Sequence, residues 1–383
     1  MRPLKESERL DWLRLIRTPT IGPITFAQLI ERYGNARDAL EALPELARGS
    51  GRATKAKPIP VGEAEKEIAR AEAQGARLIA SCEPAFPLPL KAIPDPPPLI
   101  YVRGNPTMFD KPAVAIVGAR NASGAGCKLA GLIAKDLGDA GVVVVSGLAR
   151  GVDGAAHKAS LKTGAIAVVA GGVDVLYPPE HDALTKAIAE NGAVISERPM
   201  GAEPLSRDFP RRNRLISGLS LGVMVVEAAA RSGTLITARY ALEQGREVFA
   251  APGSPLDPRC AGANRLIKEG ATLVEKAEDI LQVLAEQNRA PRSSFRAPGL
   301  DDAPADDPDP LLAEGGALDT NEIERADLRQ NILDFMSPTP LHRDDIMRAF
   351  AASQPGLIAD ILLDLVLAGE ITEDVGGRYS SMF

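Results

Sequence analysis

The sequence predicts a doubly wound α/β fold built on a mostly parallel, Rossmann-like sheet, and three observations carry that expectation. Between residues 113 and 288 the apolar runs VAIVG, VVVVSG, AIAVVAGG, AVISE, VMVVEAA, EVFAAPG and ATLV alternate with segments of helix length. The runs are continuously apolar rather than alternating, as strands covered by helices on both faces require. Most of them end in turns of small residues. In open parallel sheets ligands bind beyond the carboxyl ends of the strands, so those turns are where function is sought.

The flanks read differently. Residues 1–75 are helical in pattern, with Gly22-Pro23 between two helical segments. That resembles a helix-hairpin-helix turn, whose exposed amides can hold a DNA phosphate; an ordinary αα-hairpin turn gives the same pattern, and we adopt that reading. Residues 76–112 carry too many prolines for a helix or a central strand and are expected to run as extended connections. The core is assigned to 113–288. Residues 289–324 are rich in Pro, Asp, Ala and Gly without apolar periodicity and read as a linker. In 325–383, three helical patterns precede two short strand patterns around Gly376-Gly377, the order of a winged helix.

Composition narrows the function. The chain has 383 residues, 45% hydrophobic and 25% charged, which supports a sizeable core and excludes wholesale disorder. No apolar stretch reaches the roughly 18 residues needed to span a bilayer, and the N-terminus has no signal-peptide pattern, so a cytoplasmic address and no membrane partner are expected. Three scattered cysteines and three histidines make a disulfide framework or a metal site a poor reading. The net charge of −7 is local: residues 300–327 hold ten acids and one arginine, which leaves the rest of the chain at +2. A near-neutral body can carry a basic face, so an anionic partner stays open.

The turns supply that face. After the first run come Gly118, Arg120, Ser123, Gly124 and Gly126. There is no third glycine in dinucleotide register, no acid closing the second strand and no Walker loop, so nicotinamide and triphosphate binding are disfavoured. What remains is a strand-to-helix turn with amides for an anion and Arg120 to neutralise it; the same glycines would also serve mere helix-on-strand packing. The second turn offers Ser146, Gly147, Ala149, Arg150 and Gly151, with Asp153 suited to a helix N-cap and His157 to a structural place one turn later. The fifth run ends at Glu227, and Ser232-Gly233-Thr234 follow in another small-residue turn. Between the fourth and fifth runs, Arg198, Arg207, Phe209, Arg211, Arg212, Asn213 and Arg214 form the most basic segment, suited to tracking a backbone while a base stacks on the ring. Paired carboxylates, an activated nucleophile and metal ligands are missing from the pattern, so binding is expected rather than catalysis, with no cofactor.

Several separated motifs, VGARNAS, SGLARGVDGAAH, GGVDVLYPPEH, ISERP, FPRRNRLISGLS, VVEAAARSGTLITARYALEQGREVFAAPG and GANRLIKEGA, occur in order over about 75–280. In this the chain resembles the DNA processing protein A (DprA/Smf) family. The resemblance implies a cytoplasmic homodimer that binds single-stranded DNA, protects incoming strands in natural transformation and loads the RecA recombinase. It also implies an N-terminal sterile-alpha-motif-like helical domain and a C-terminal winged helix. By motif it places Gly118, Arg120 and Ser123 at a first phosphate turn, Ser146, Gly147, Ala149 and Gly151 at a second, and Arg211, Arg212, Asn213 and Arg214 on a basic rim. Phe209 is a stacking candidate, and Ala119 stands where the family often has a hydroxyl. The winged helix is expected to contact protein rather than duplex DNA, because 340–383 hold seven acids, among them Asp360, Asp364 and Glu370, against three arginines. The competing class is a nucleoside-monophosphate phosphoribohydrolase-like enzyme, whose Pro-Gly-Gly turn is missing here at 230–234; a nucleotide-sensing Rossmann-like protein is the third reading.

Overall fold

The computed structural model describes residues 2–19, 21–49 and 57–289, and in the tail 328–329, 331–332, 335, 341–350, 357–358, 361–362, 365, 371–373 and 378–381. The chain divides into two compact units, Met1–Ala305 and Asp306–Phe383.

The first unit is organised by one sheet. Its strands are β1 (Ala76–Ala80), β2 (Leu99–Gly104), β3 (Ala113–Val117), β4 (Val143–Ser146), β5 (Ala165–Val168), β6 (Ala193–Ser196), β7 (Gly222–Val225), β8 (Glu247–Ala250) and β9 (Thr272–Leu273). In space they run β1-β2-β6-β5-β4-β3-β7-β8-β9. Every pairing from β6 through β9 is parallel, while β2 is antiparallel to both β6 and β1. All seven apolar runs are therefore strands, and burial explains why most of them read as continuously apolar: every residue of β3 through β7 is buried, whereas the edge strand β9 leaves Leu273 exposed. The strand order reverses between β3 and β7, which makes their carboxyl ends the switch point of the sheet.

The helices are α1 (Glu6–Ile16), α2 (Pro23–Tyr33), α3 (Ala36–Gly49), α4 (Val61–Ala73), α5 (Leu88–Lys91), α6 (Gly124–Asp139), α7 (Val152–Ser160), α8 (Asp182–Asn191), α9 (Asp208–Gly218), α10 (Thr234–Glu243), α11 (Ala261–Lys268) and α12 (Ala277–Arg289). Ile133 of α6, Ala156 of α7 and Ile280 of α12 pack on one face of the sheet against Val114, Ile116 and Val144. On the other face Leu215 and Ile216 of α9, Ala238 and Ala241 of α10 and Leu266 of α11 pack against Ala115, Val145 and Val223. Burying one such aliphatic side chain contributes about 1.5–3 kcal/mol, so the two layers supply most of the drive for this architecture.

The N-terminal helices do not form a separate ball. Trp12, Leu13, Phe26 and Leu40 share a core with Leu78 of β1, Tyr101 of β2, Leu148, Ile188 of α8 and Val194 of β6. Pro23 opens α2 at its first turn, where a missing N–H is harmless, and Gly34 closes it at φ 78. One expectation is corrected here. The segment 76–112 is not only connection: β2 lies inside the sheet, between β1 and β6. The prolines stop at Pro98, so Leu99–Gly104 keeps every N–H that a central strand must donate.

In the second unit, β10 (Leu341–His342), α13 (Arg343–Ala349), β11 (Ile371–Glu373) and β12 (Arg378–Ser381) are described. The strands pair antiparallel in the order β10-β12-β11. Leu328, Ile332, Ile346, Ile358, Ile361, Leu362, Leu365 and Tyr379 form its core. The linker residues 290–324 and the acids Asp360, Asp364 and Glu370 lie outside the described residues. No described helix is long and apolar enough to cross a membrane.

Candidate nucleic-acid interface

Two cavities sit at the carboxyl edge of the sheet. One, of about 140 Å³, lies over β4 and β5 and is lined by Gly147, Leu148, Val169, Gly171 and Tyr177; the other, of about 260 Å³, lies over the β3–β7 switch point and is lined by Gly118, Asn213, Ser232, Gly233 and Thr234. Arg120, Ala149, Phe209 and Arg212 line both. Phe209 stands in the first turn of α9, half-buried. Its ring lies 5.6 Å from that of Tyr177, with the Arg120 guanidinium 5.0 Å and the Arg212 guanidinium 6.0 Å from the ring centroid. This is a cation–aromatic stack at a cleft mouth, with Arg120 and Tyr177 exposed.

The turns themselves are less open than their sequence implies. Ser123 caps α6, accepting from the Gly126 N–H at 2.9 Å, while its own N–H donates to Glu227 Oε2 at 2.9 Å and its hydroxyl donates to Glu227 Oε1. Asp153 Oδ2 accepts the Gly147 N–H at 3.1 Å and the Ala149 N–H at 3.3 Å. Ser146 is fully buried and donates to Ile116 O at 2.6 Å. The expectation that Ser123, Ser146, Gly147 and Ala149 offer free donors to phosphates is thus corrected: carboxylates and a carbonyl of the chain already accept them. The glycines are there for close packing. A Cβ on Gly118 would stand 2.5 Å from Val152 Cγ2, and Gly151, at φ 71, would put one 2.3 Å from Ala119 O. In the third turn the Thr234 N–H donates to Ser232 Oγ at 3.2 Å and the Thr234 hydroxyl to Gly118 O at 3.2 Å, while Gly233 is exposed.

The basic segment also divides. Arg211 is exposed and Asn213 half-buried, its amide donating to Gly233 O at 3.4 Å. Arg212 is 6% exposed and donates through Nη1 to Gly147 O at 2.6 Å and Val168 O at 2.5 Å, tying the ends of β4 and β5 together. Burial pulls its guanidinium down to about 10, opposed by the nearby Asp153 carboxylate, so it stays charged at neutral pH. Burial likewise pushes the Asp153 carboxyl up. Arg214 faces away from the cleft: it pairs with Glu197, with Asp95 Oδ2 at 3.2 Å, and donates to Asp95 O at 2.7 Å. Arg214 is therefore not a rim residue, because α9 turns it into the protein where carboxylates and a carbonyl receive it, while Arg212 lines both cavities from their floor, its guanidinium held by carbonyls at the ends of β4 and β5. Asp153 is structural but not as the expected N-cap, a place Gly151 takes: from the first turn of α7 its carboxylate reaches back to the Gly147 and Ala149 amides. His157 has the expected structural place; it is fully buried, and desolvation pulls its imidazole down to about 3.

One rim residue was not chosen from the sequence: Tyr177 was visible only as part of a Pro-rich turn. Arg150, which the second turn offered as a cation at the sheet's edge, projects at the mouth, 61% exposed, and is held at 2.6 Å by Glu180 Oε1, a partner thirty residues away that no local pattern announces. Among the described residues no cluster of three or more metal-ligating side chains occurs.

A doubly wound sheet with a cationic, aromatic cleft at its switch point defines an α/β ligand-binding protein of the Rossmann-like class. Comparison with known proteins refines this. The family described as DNA recombination-mediator protein A matches residues 77–285, a DprA-like N-terminal HHH domain matches 6–70, and a DprA winged helix domain matches 316–377. The ordinary αα-hairpin reading of the Gly22-Pro23 turn is thereby corrected: the turn belongs to a helix-hairpin-helix domain. The chain belongs to the DprA/Smf family of DNA-processing proteins. Protein Smf of Escherichia coli K12 is 38% identical over 326 residues, covering 83% of this chain and 81% of that protein. DNA processing protein DprA of Bacillus subtilis 168 is 44% identical over 218 residues, 56% of this chain and 73% of that one. The X-ray structure of DprA from Streptococcus pneumoniae superposes with a TM-score of 0.59 at 34% identity, covering 74% of this chain and 98% of that one. A structure of Helicobacter pylori DprA, described by its single-stranded DNA binding mode, gives 0.51 at 28% identity over 55% of this chain and 96% of that one. These relatives are named for recombination mediation, DNA processing and strand binding rather than for a catalysed reaction.

Proposed function

We propose that this protein binds single-stranded DNA across the two cavities, with the strand backbone running past Arg120, Arg150 and Arg211 and a base stacking at Phe209 and Tyr177. The exposed Arg120 lying over Phe209 between the cavities carries this reading: it offers charge for a phosphate and an aromatic face for any base, the combination that sequence-tolerant strand binding needs. Because the Ser123, Ser146, Gly147, Ala149 and Thr234 donors are already taken, the exposed side-chain cations rather than these groups supply the phosphate contacts. The strand-binding description of the Helicobacter relative supports the same assignment. In the cell the reading extends to protecting strands taken up in transformation and loading RecA onto them from a cytoplasmic homodimer, as the family's recombination-mediator description fits. The winged helix serves in this scheme as a protein contact, since 340–383 carry seven acids to three arginines.

Fluorescence anisotropy of a labelled oligo-dT at two salt concentrations, with duplex of equal length as competitor, tests the binding step. Tight, salt-sensitive binding that duplex does not displace is expected; no binding at low salt rejects the reading. One variant sharpens it. Glu180→Ala frees Arg150 and is expected to tighten oligo-dT binding roughly 1.4- to 5-fold, the scale of an exposed ion pair of about 0.2–1 kcal/mol. Unchanged or weaker binding in the same titration would place the strand elsewhere.

A further inference from the structure

In an open parallel sheet a nucleotide sets its phosphate at the N-terminus of the helix that follows a strand at the switch point, here α6 after β3. That seat is already filled from within the chain. Glu227, just beyond β7, is 6% exposed, and its two carboxylate oxygens take the Ser123 N–H and hydroxyl at the cap of α6. Gly126 makes room for it, since a Cβ there would stand 2.6 Å from Glu227 Oε1. The charge of Arg259 lies close enough to feel this carboxylate. The next helix repeats the arrangement: Asp153, 5% exposed and lining the larger cavity, takes the Gly147 and Ala149 N–H groups before α7.

We infer that Glu227 is an internal stand-in for a phosphate, and that it makes this fold blind to free nucleotides and inorganic phosphate. A fixed carboxylate completes the positive end of α6 and repels a second anion, so a monomer finds no seat, whereas a polymer can use the side-chain cations outside it. The residue thus acts as a specificity determinant, selecting chain over monomer. The inference stands apart from the strand-binding reading, because its readout uses no DNA.

Thermal unfolding of the full chain, titrated with inorganic phosphate and separately with AMP against matched chloride, tests it. Wild type and Glu227→Gln, whose amide still fills the seat, are expected to show no dose-dependent shift. Glu227→Ala and Glu227→Ser open the seat and are expected to gain a rise of roughly 5 °C at a hundred-fold excess of phosphate over its Kd. A wild-type rise equal to that of the opened variants overturns the inference, as does a folded Ala or Ser variant that ignores phosphate. The serine variant keeps a hydroxyl near Ser123 and serves where alanine fails to fold; a dose-dependent rise in the wild type overturns the inference even without either.

Discussion

Arg120→Glu is expected to weaken single-strand binding roughly 10- to 100-fold for every sequence alike and to lower its salt dependence. The reasoning is geometric. Arg120 is exposed, pairs with no carboxylate among the described residues, and lies 5.0 Å from the Phe209 ring where the two cavities meet. Reversal removes one phosphate contact and adds a repulsion; each cation lost should lower the log–log salt slope by about 0.7 on a single strand. Titrations of oligo-dT, oligo-dA and a mixed sequence across a salt series read both quantities. A loss confined to one sequence would mean that Arg120 reads a base instead, and an unchanged slope would remove it from the phosphate path.

Arg214→Ala is expected to do the opposite: a large loss of stability with the salt slope intact. Arg214 has a side chain only 6% exposed, wedged between Glu197 and Asp95. Removing one partner of a buried ion pair leaves the other charge uncompensated, which costs about 3–5 kcal/mol. Asp95 keeps 35% of its side-chain surface, so the lower end, about 3 kcal/mol, applies, a fall of roughly 10 °C in Tm. Thermal unfolding followed by anisotropy on the folded variant checks both halves. A stable protein with a reduced salt slope would return Arg214 to the binding surface.

These two arginines show where the sequence was legible and where it was not. The apolar runs announced β3 to β8 because burial leaves a local mark, and β9, half exposed at the sheet's edge, by its apolar composition alone; the small-residue turns marked the carboxyl edge where the two cavities lie. Positions 211–214 looked like one basic patch because a linear string does not say which way a helix faces. On α9 consecutive residues point about 100° apart, so Arg211 reaches water while Arg212 and Arg214 turn inward. Their partners, Gly147, Val168, Asp95 and Glu197, are distant in sequence, and so is Glu227 from Ser123. Whether a glycine-rich turn is open to an anion depends on such distant acceptors, which have no local signature. The prolines of 94–98 concealed β2 by proximity alone, since Leu99–Gly104 has ordinary strand composition.

Leu148 ties the floor of the cleft to the far side of the sheet. It is the described non-glycine residue with positive φ, at 58°, and it is 1% exposed, seated in the core shared with Trp12 and Phe26 of the N-terminal helices. A branched residue held in the left-handed region costs on the order of 1–3 kcal/mol and persists because its surroundings fix it. Its neighbours Gly147 and Ala149 form the wall of the smaller cavity, and its carbonyl meets His181 Nδ1 at 2.9 Å. The leucine therefore works as a peg through the floor: on the strand-binding reading proposed above, a shift of the N-terminal helices is expected to pull on the turn that walls the smaller cavity, giving the helical domain a mechanical handle on how firmly a strand would be held.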